Sequence, residues 1–168
     1  KANLLKPIFP ALTAFLAGGS GKGVYKLLSA SDSHIAQNHN QSHHRASRAV
    51  LVSSLLFPIL EKEIDFQFLR KNVVPSFGDI MELASRIIRG VLIESFTHFP
   101  RKLSSEIHYI LSMQYRLTPL TGKRNHGPRI LRQADFCHAL DFLRIRALAN
   151  PLLQEPYEWW SRLVKPRG

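Results

Sequence analysis

Residues 79–96 read DIMELASRIIRGVLIESF. Within them Ile80, Leu83, Ala84, Ile87, Ile88, Val91 and Leu92 recur at intervals of three and four, which aligns their side chains on one face of an α-helix. The pattern predicts a helix over Asp79–Phe96 with a single apolar stripe. Ser76, three residues ahead of Asp79, offers a capping arrangement, and Pro75 stops the segment before it. Toward the C-terminus, Pro100 suits the first turn of a second helix that presents Leu103, Ile107, Ile110, Leu111 and Gln114 on one side. Pro119 and Gly122 close that helix. A third is expected over Asp135–Ala149, with Phe136, Ala139, Leu140, Leu143 and Ala147 on one face, and a short aromatic one over Tyr157–Val164. Toward the N-terminus, Ala49–Leu60 is apolar on nearly all sides without alternation, so it reads as a central buried helix that Pro58 should end or bend. Glu61–Asp65 then reads as a solvated turn, Ser29–His44 as a polar surface excursion, Gly18–Gly23 as a flexible loop and Leu4–Leu16 as a short helix. No segment alternates as a strand and no unit repeats at a fixed period. The expected fold class is therefore all-α, an irregular helical bundle.

The 168 residues suffice for one domain with a hydrophobic core, and 45% hydrophobic against 21% charged residues excludes a mainly disordered chain. The longest apolar run, Ala49–Leu60, is broken by Ser53, Ser54 and Pro58 and falls short of the roughly 20 residues a membrane crossing needs, so no membrane insertion is expected. Lys1–Phe15 holds Pro7 and Pro10 and makes a poor signal peptide, and a start without Met suggests a fragment. Cys137 is the single cysteine, which rules out an internal disulfide and agrees with a reducing compartment.

Charge is the strongest compositional signal. Lys and Arg number 23 against 12 Asp and Glu, for a net +11, which points to an anionic partner. Residues 85–168 hold 14 basic and 6 acidic residues, whereas residues 1–84 hold 9 and 6. The excess lies in the C-terminal half. There Arg101, Lys102, Arg116, Lys123, Arg124, Arg129 and Arg132 fall at helix ends and connections, where long side chains can converge on a phosphate backbone. These seven are the candidate residues for binding a phosphate backbone. Arg144 and Arg146 differ, because Asp141 precedes Arg144 by three residues and invites a structural ion pair. Tyr109, Tyr115, Phe136, Tyr157, Trp159 and Trp160 are candidates for base stacking, although aromatics at helical spacing usually belong to a core.

Motifs for catalysis are missing. Gly18–Gly23 lacks the first glycine of a P-loop, where Leu16 stands, and its Ser/Thr, where Gly23 stands. His39 and His43 have the i, i+4 spacing of two zinc ligands, but Asn40 replaces the glutamate of a zincin helix, and His34, His39, His43 and His44 read as a solvated segment. No Asp-x-Asp pair could hold Mg²⁺ and no serine sits in a nucleophile elbow, so neither catalytic nor metal residues are assigned and the chain is expected to perform no chemistry alone.

Several stretches together resemble the C-terminal part of bacterial poly(A) polymerases, class II nucleotidyltransferases related to the CCA-adding enzymes. Leu5-Lys6-Pro7-Ile8-Phe9-Pro10-Ala11-Leu12 resembles the segment leaving the family's neck, and VLVSSLLFPILE at Val50–Glu61 its apolar helix. Ile80–Ala84 and Phe99-Pro100-Arg101-Lys102-Leu103 resemble the next two helices. The order Gly122-Lys123-Arg124, Phe136, Ala139-Leu140-Asp141-Phe142-Leu143-Arg144-Ile145-Arg146-Ala147 and Trp159-Trp160 is the most specific part of the likeness. The resemblance implies residues 1–20 as the end of a neck and residues 21–168 as helical body and tail. It implies an RNA-binding region of a cytoplasmic polynucleotide adenylyltransferase that adds AMP from ATP to RNA 3′ ends. ATP and Mg²⁺ would serve a catalytic head N-terminal to this stretch, and this stretch itself would bind no cofactor. Two alternatives stay open: the matching region of a CCA-adding tRNA nucleotidyltransferase, and a stand-alone helical module docking an acidic protein. The terminal basic extension shortens here to Lys165-Pro166-Arg167, so RNA affinity is expected to rest on the folded surface.

Overall fold

The stripe that opens the reading of the sequence is the inner face of a helix. A computed structural model describes residues 13, 17, 21–38, 47–96, 98–121 and 128–164. Among them are seven α-helices and no strand: α1 Gly21–Asn38, α2 Arg48–Gln67, α3 Phe77–Ile88, α4 Arg101–Leu117, α5 Pro128–Leu131, α6 Phe136–Ala149 and α7 Gln154–Val164. The fold is all-α. No helix among the described residues is long and apolar enough to cross a membrane.

α3 shows how local sequence sets an element. Ser76 caps it, with the Asp79 N–H donating to Ser76 Oγ at 3.2 Å and the Ser76 N–H donating to Asp79 Oδ2 at 2.7 Å. All seven stripe residues from Ile80 to Leu92 are buried, each worth roughly 1.5–3 kcal/mol for the larger side chains relative to exposure. The helix does not run to Phe96 in α form. From Arg89 to Ile93 it widens into a π turn, marked by the Glu94 N–H donating to Arg89 O at 3.0 Å, one residue further than an α-helical bond.

The N-terminal expectations need correction. Gly21 to Gly23 form the first turn of α1 rather than a loop, and α1 runs through the polar stretch to Asn38. Ser31 and His34, expected in solvent, are buried on its inner side, so the helix is amphipathic with hydroxyl and imidazole where apolar groups would be usual. The Ser31 hydroxyl donates to Leu27 O at 2.8 Å and lies 3.0 Å from the Ser54 hydroxyl of α2, which gives the seam a polar link. His39, His43 and His44 lie outside the described residues, as do residues 1–12.

α2 does not end at Pro58 but continues to Gln67, so Glu61–Asp65 is helical and Ile64 is buried. Pro58 is itself buried, and packing on nearly every side of α2 outweighs the cost of about 3 kcal/mol for an interior proline. The chain then turns through a 3₁₀ turn, Leu69–Lys71, and Asn72 in the left-handed region at φ 56°.

α2, α4 and α6 form the centre, with α1 against α2 and α6, α3 against α2 and α4, and α7 against α6. The larger core cluster joins α1, α2, α3, α4 and α6, and Phe57 sits edge-on to Phe142 at 5.4 Å within it. A second cluster gathers Met113, Leu117, Ile130, Phe136, Ala139, Leu143 and Trp160. α6 contributes to both, which is why residues off its expected single face, Phe142, Ile145 and Arg146, are also buried.

Candidate nucleic-acid interface

The arginines of the C-terminal half divide by burial. Arg146, on α6, is inside: its guanidinium donates to Gln114 Oε1 at 3.2 Å and Thr118 Oγ1 at 3.3 Å and lies 4.2 Å over the Phe57 ring. Glu61 of α2 stands 3.8 Å away as its counter-ion. Burial raises the Glu61 carboxyl above its ordinary range, and Arg146 opposes that rise. Burial also pushes up the Tyr115 hydroxyl beside them, with the Glu61 charge adding to it. This network joins α2, α4 and α6 and commits Arg146 Nη1 to the interior.

Arg116 faces out. Arg116 lies in the last turn of α4, and its guanidinium lies 3.9 Å over Phe77, the first residue of α3, so the ring holds the charge at the mouth of a cleft. The cleft has a volume of about 630 Å³ and is bounded by Val74, Pro75, Phe77, Leu120, Arg116 and Arg129 among others. It thus brings together two of the sequence-predicted residues, Arg116 from α4 and Arg129 from α5. Arg132 is exposed on the turn after α5, and that turn is tied to α4 by the Tyr109 hydroxyl donating to Gln133 Oε1 at 2.6 Å. Burial and then the Asp135 charge push the Tyr109 hydroxyl up to about 12, so it stays protonated as that donor. Lys123 and Arg124 fall between Thr121 and Pro128, outside the described residues.

Arg101 and Lys102 are exposed in the first turn of α4, and Arg101 lines a separate groove. Fifteen residues of helix separate Arg101 from Arg116, about four turns or roughly 22 Å along a rigid axis. The seven candidates are therefore not one patch. Arg116 with Arg129, and Arg101 with Lys102, form two basic sites at opposite ends of α4, and Arg132 lines neither groove. Arg89 lines a groove that shares Ile93, Ser104 and Ser105 with the one Arg101 lines, and it was missed because a basic residue on the polar side of an amphipathic stripe gives no sign of which helix end it faces.

The aromatic candidates go elsewhere. Phe136 and Trp160 are 1% exposed and pack at 5.9 Å, and the Trp160 indole N–H donates to Leu117 O at 3.0 Å. Trp159 meets Trp160 edge-on at 4.7 Å, Tyr157 packs on the same cluster, and Tyr115 lies 5.9 Å from Phe57. No cluster of three or more potential metal ligands occurs among the described residues.

Residues 81–167 match the family model described as the polymerase A arginine-rich C-terminus. The chain belongs to that family. The match spans just over half the chain and takes in α4 to α7, with both basic sites except for Val74 to Ile80 of the larger cleft. No curated protein and no solved structure matches the chain. Within this polymerase A C-terminal region, Arg146 serves the fold, whereas Arg101, Arg116, Arg129 and Arg132 present charge to solvent. Arginine richness has two physical uses here, and burial separates them.

Proposed function

We propose that this region holds the RNA substrate of a bacterial polynucleotide adenylyltransferase. The phosphate backbone lies against the outward basic residues while AMP is added from ATP, with Mg²⁺, in the polymerase's catalytic head. The reading takes the protein to act in the cytoplasm in RNA polyadenylation and mRNA processing. One observation carries it: in a chain of the polymerase A C-terminal family, Arg116 and Arg129 converge on one open cleft with their charge facing solvent. A polymerase that extends any 3′ end gains from contacts to phosphate, which carry no sequence information, and guanidinium groups suit that contact.

Fluorescence anisotropy with labelled single-stranded oligoribonucleotides of different sequence tests this. Wild type is expected to bind them with similar affinity and a steep loss with salt. Arg116→Ala with Arg129→Ala, and separately Lys123→Ala with Arg124→Ala, should each lower the log-salt slope by about 0.7 per lost contact. Unchanged affinity and slope in both folded double variants would remove RNA holding from this surface.

A further inference from the structure

The arginine cleft is more than a charged surface. Three stretches of chain line it: the connection into α3, the end of α4 with the residues after it, and α5. The buried members of that lining, Pro75, Ile80 and Ile130, are apolar. Val74 and Leu120 line it too, yet 59% and 44% of their surfaces face solvent. A single exposed aliphatic side chain is ordinary on a protein surface, whereas two in one cleft, beside buried apolar residues, mark a place that something covers.

Both exposed side chains sit on fixed backbone. Ahead of Val74, Phe68 O accepts from the N–H groups of Lys71 at 2.9 Å and Val73 at 3.1 Å, and Asn72 turns the chain in the left-handed region. The Ser76 cap of α3 pins the other side. Ahead of Leu120, Gln114 O accepts at 2.8 Å from both the N–H and the hydroxyl of Thr118, and Pro119 follows. The apolar surface is thus held ready, and little order has to be added when it is covered. Among the described residues no carboxylate lines the cleft, and Arg116 and Arg129 supply its charge. Its volume of about 630 Å³ falls in the range of sites that enclose a small molecule, more than a phosphate chain lying along a surface fills. The occupant that fits is anionic and carries an apolar body, and in an RNA strand that body is the base.

We infer that one unstacked base of the RNA enters this cleft and covers Val74 and Leu120, while Arg116 and Arg129 hold the phosphates next to it. The inference rests on the RNA-holding reading and deepens it, since the strand is then gripped by a base as well as by its backbone. Every base has an apolar face, so such a grip accepts RNA of any sequence.

The test compares a labelled oligoadenylate with an abasic ribose-phosphate strand of equal length, each binding the full chain in an anisotropy titration. Wild type should bind the oligoadenylate about tenfold more tightly, the effect of taking about 55 Å² of apolar surface out of water. Val74→Ala with Leu120→Ala should remove most of that preference while leaving affinity for the abasic strand and its salt slope unchanged, and Val74→Ile with Leu120→Met should keep it. Arg116→Ala with Arg129→Ala should weaken both strands. Val74 and Leu120 are exposed, so these variants should fold, and circular dichroism melts check that they do. Val74→Thr, which puts a hydroxyl in place of a methyl at the same shape, repeats the test if the double variant melts early. If wild type binds both strands equally, or the folded Ala variant keeps the full preference, base insertion is overturned while RNA holding stands. If wild type binds neither strand, RNA holding itself fails and the inference with it. If the Ala variant keeps its preference for the oligoadenylate but loses binding of a peptide of alternating glutamate and leucine, the apolar part of the cleft serves an acidic protein instead.

Discussion

Arg146 and Arg116 make the same contact with opposite consequences. Each guanidinium lies over a phenylalanine ring, Arg146 at 4.2 Å from Phe57 and Arg116 at 3.9 Å from Phe77. Arg146 Nη1 donates to both Gln114 and Thr118, and the side chain is 11% exposed. Arg146→Ala should therefore cost on the order of 3 kcal/mol in urea unfolding, because it strands the Gln114 and Thr118 oxygens and removes the partner of Glu61. Arg146→Lys should restore only part, since an ammonium cannot stack and fork in the same way. Arg116→Ala should cost about 0.5–1 kcal/mol, the worth of an exposed cation–π contact, and show its main effect in RNA affinity. The sequence set Arg146 apart through its neighbourhood with Asp141, but its partners came from α2 and α4, at separations no local pattern reports. Counting charge finds the basic half of a chain. It does not say which cations are already committed to the interior.

Among elements, α3 was readable almost whole because every signal on it agrees: the Ser76 cap, Asp79 in the first turn and a stripe that stays in phase over four turns. Its cap should also be visible in a pH series. The Ser76 side chain and then its backbone N–H hold the Asp79 carboxyl below its ordinary value of 3.8, so the folded form releases its proton more readily than the unfolded one. The stabilisation is present above the unfolded value and is lost as pH falls through the lower folded one. Denaturant midpoints of wild type and Ser76→Ala should accordingly differ by a constant amount above about pH 5 and by less as pH falls through the lower folded value, the remaining difference being the Asp79 N–H bond to Ser76 Oγ, which does not titrate. α1 and α2 were misread where local and tertiary preferences conflict. Gly21, Gly23, Ser31 and Pro58 each argue locally for a break, and burial against neighbouring helices overrides them. The turn from Arg89 to Ile93 left no trace in the pattern, because Val91 and Leu92 keep their place in the stripe whether the last turn is α or π.

In the whole molecule, α4 and α6 run through both core clusters, so the clusters are expected to melt together. Both tryptophans of the chain, Trp159 and Trp160, sit on α7 in the second cluster, whereas helix content is spread over all seven helices. Tryptophan fluorescence and far-ultraviolet circular dichroism should give one coincident transition, and an earlier fluorescence midpoint would show the α7 end opening by itself. The class of fold was legible because helical periodicity is local. The division of the basic residues between two sites was not, since it depends on which helix end each one occupies after packing. α4 sets those sites a fixed distance apart, and a rigid rod between two holds is a ruler. On the RNA-holding proposal, a strand too short to reach from one to the other would engage them one at a time, while a longer strand, once caught at one end, would meet the other at a high effective concentration. Affinity measured against oligoadenylates of increasing length should then rise in a step rather than smoothly, and removing either site should erase the step. A protein built this way would release RNA that carries too little tail and keep RNA that carries enough.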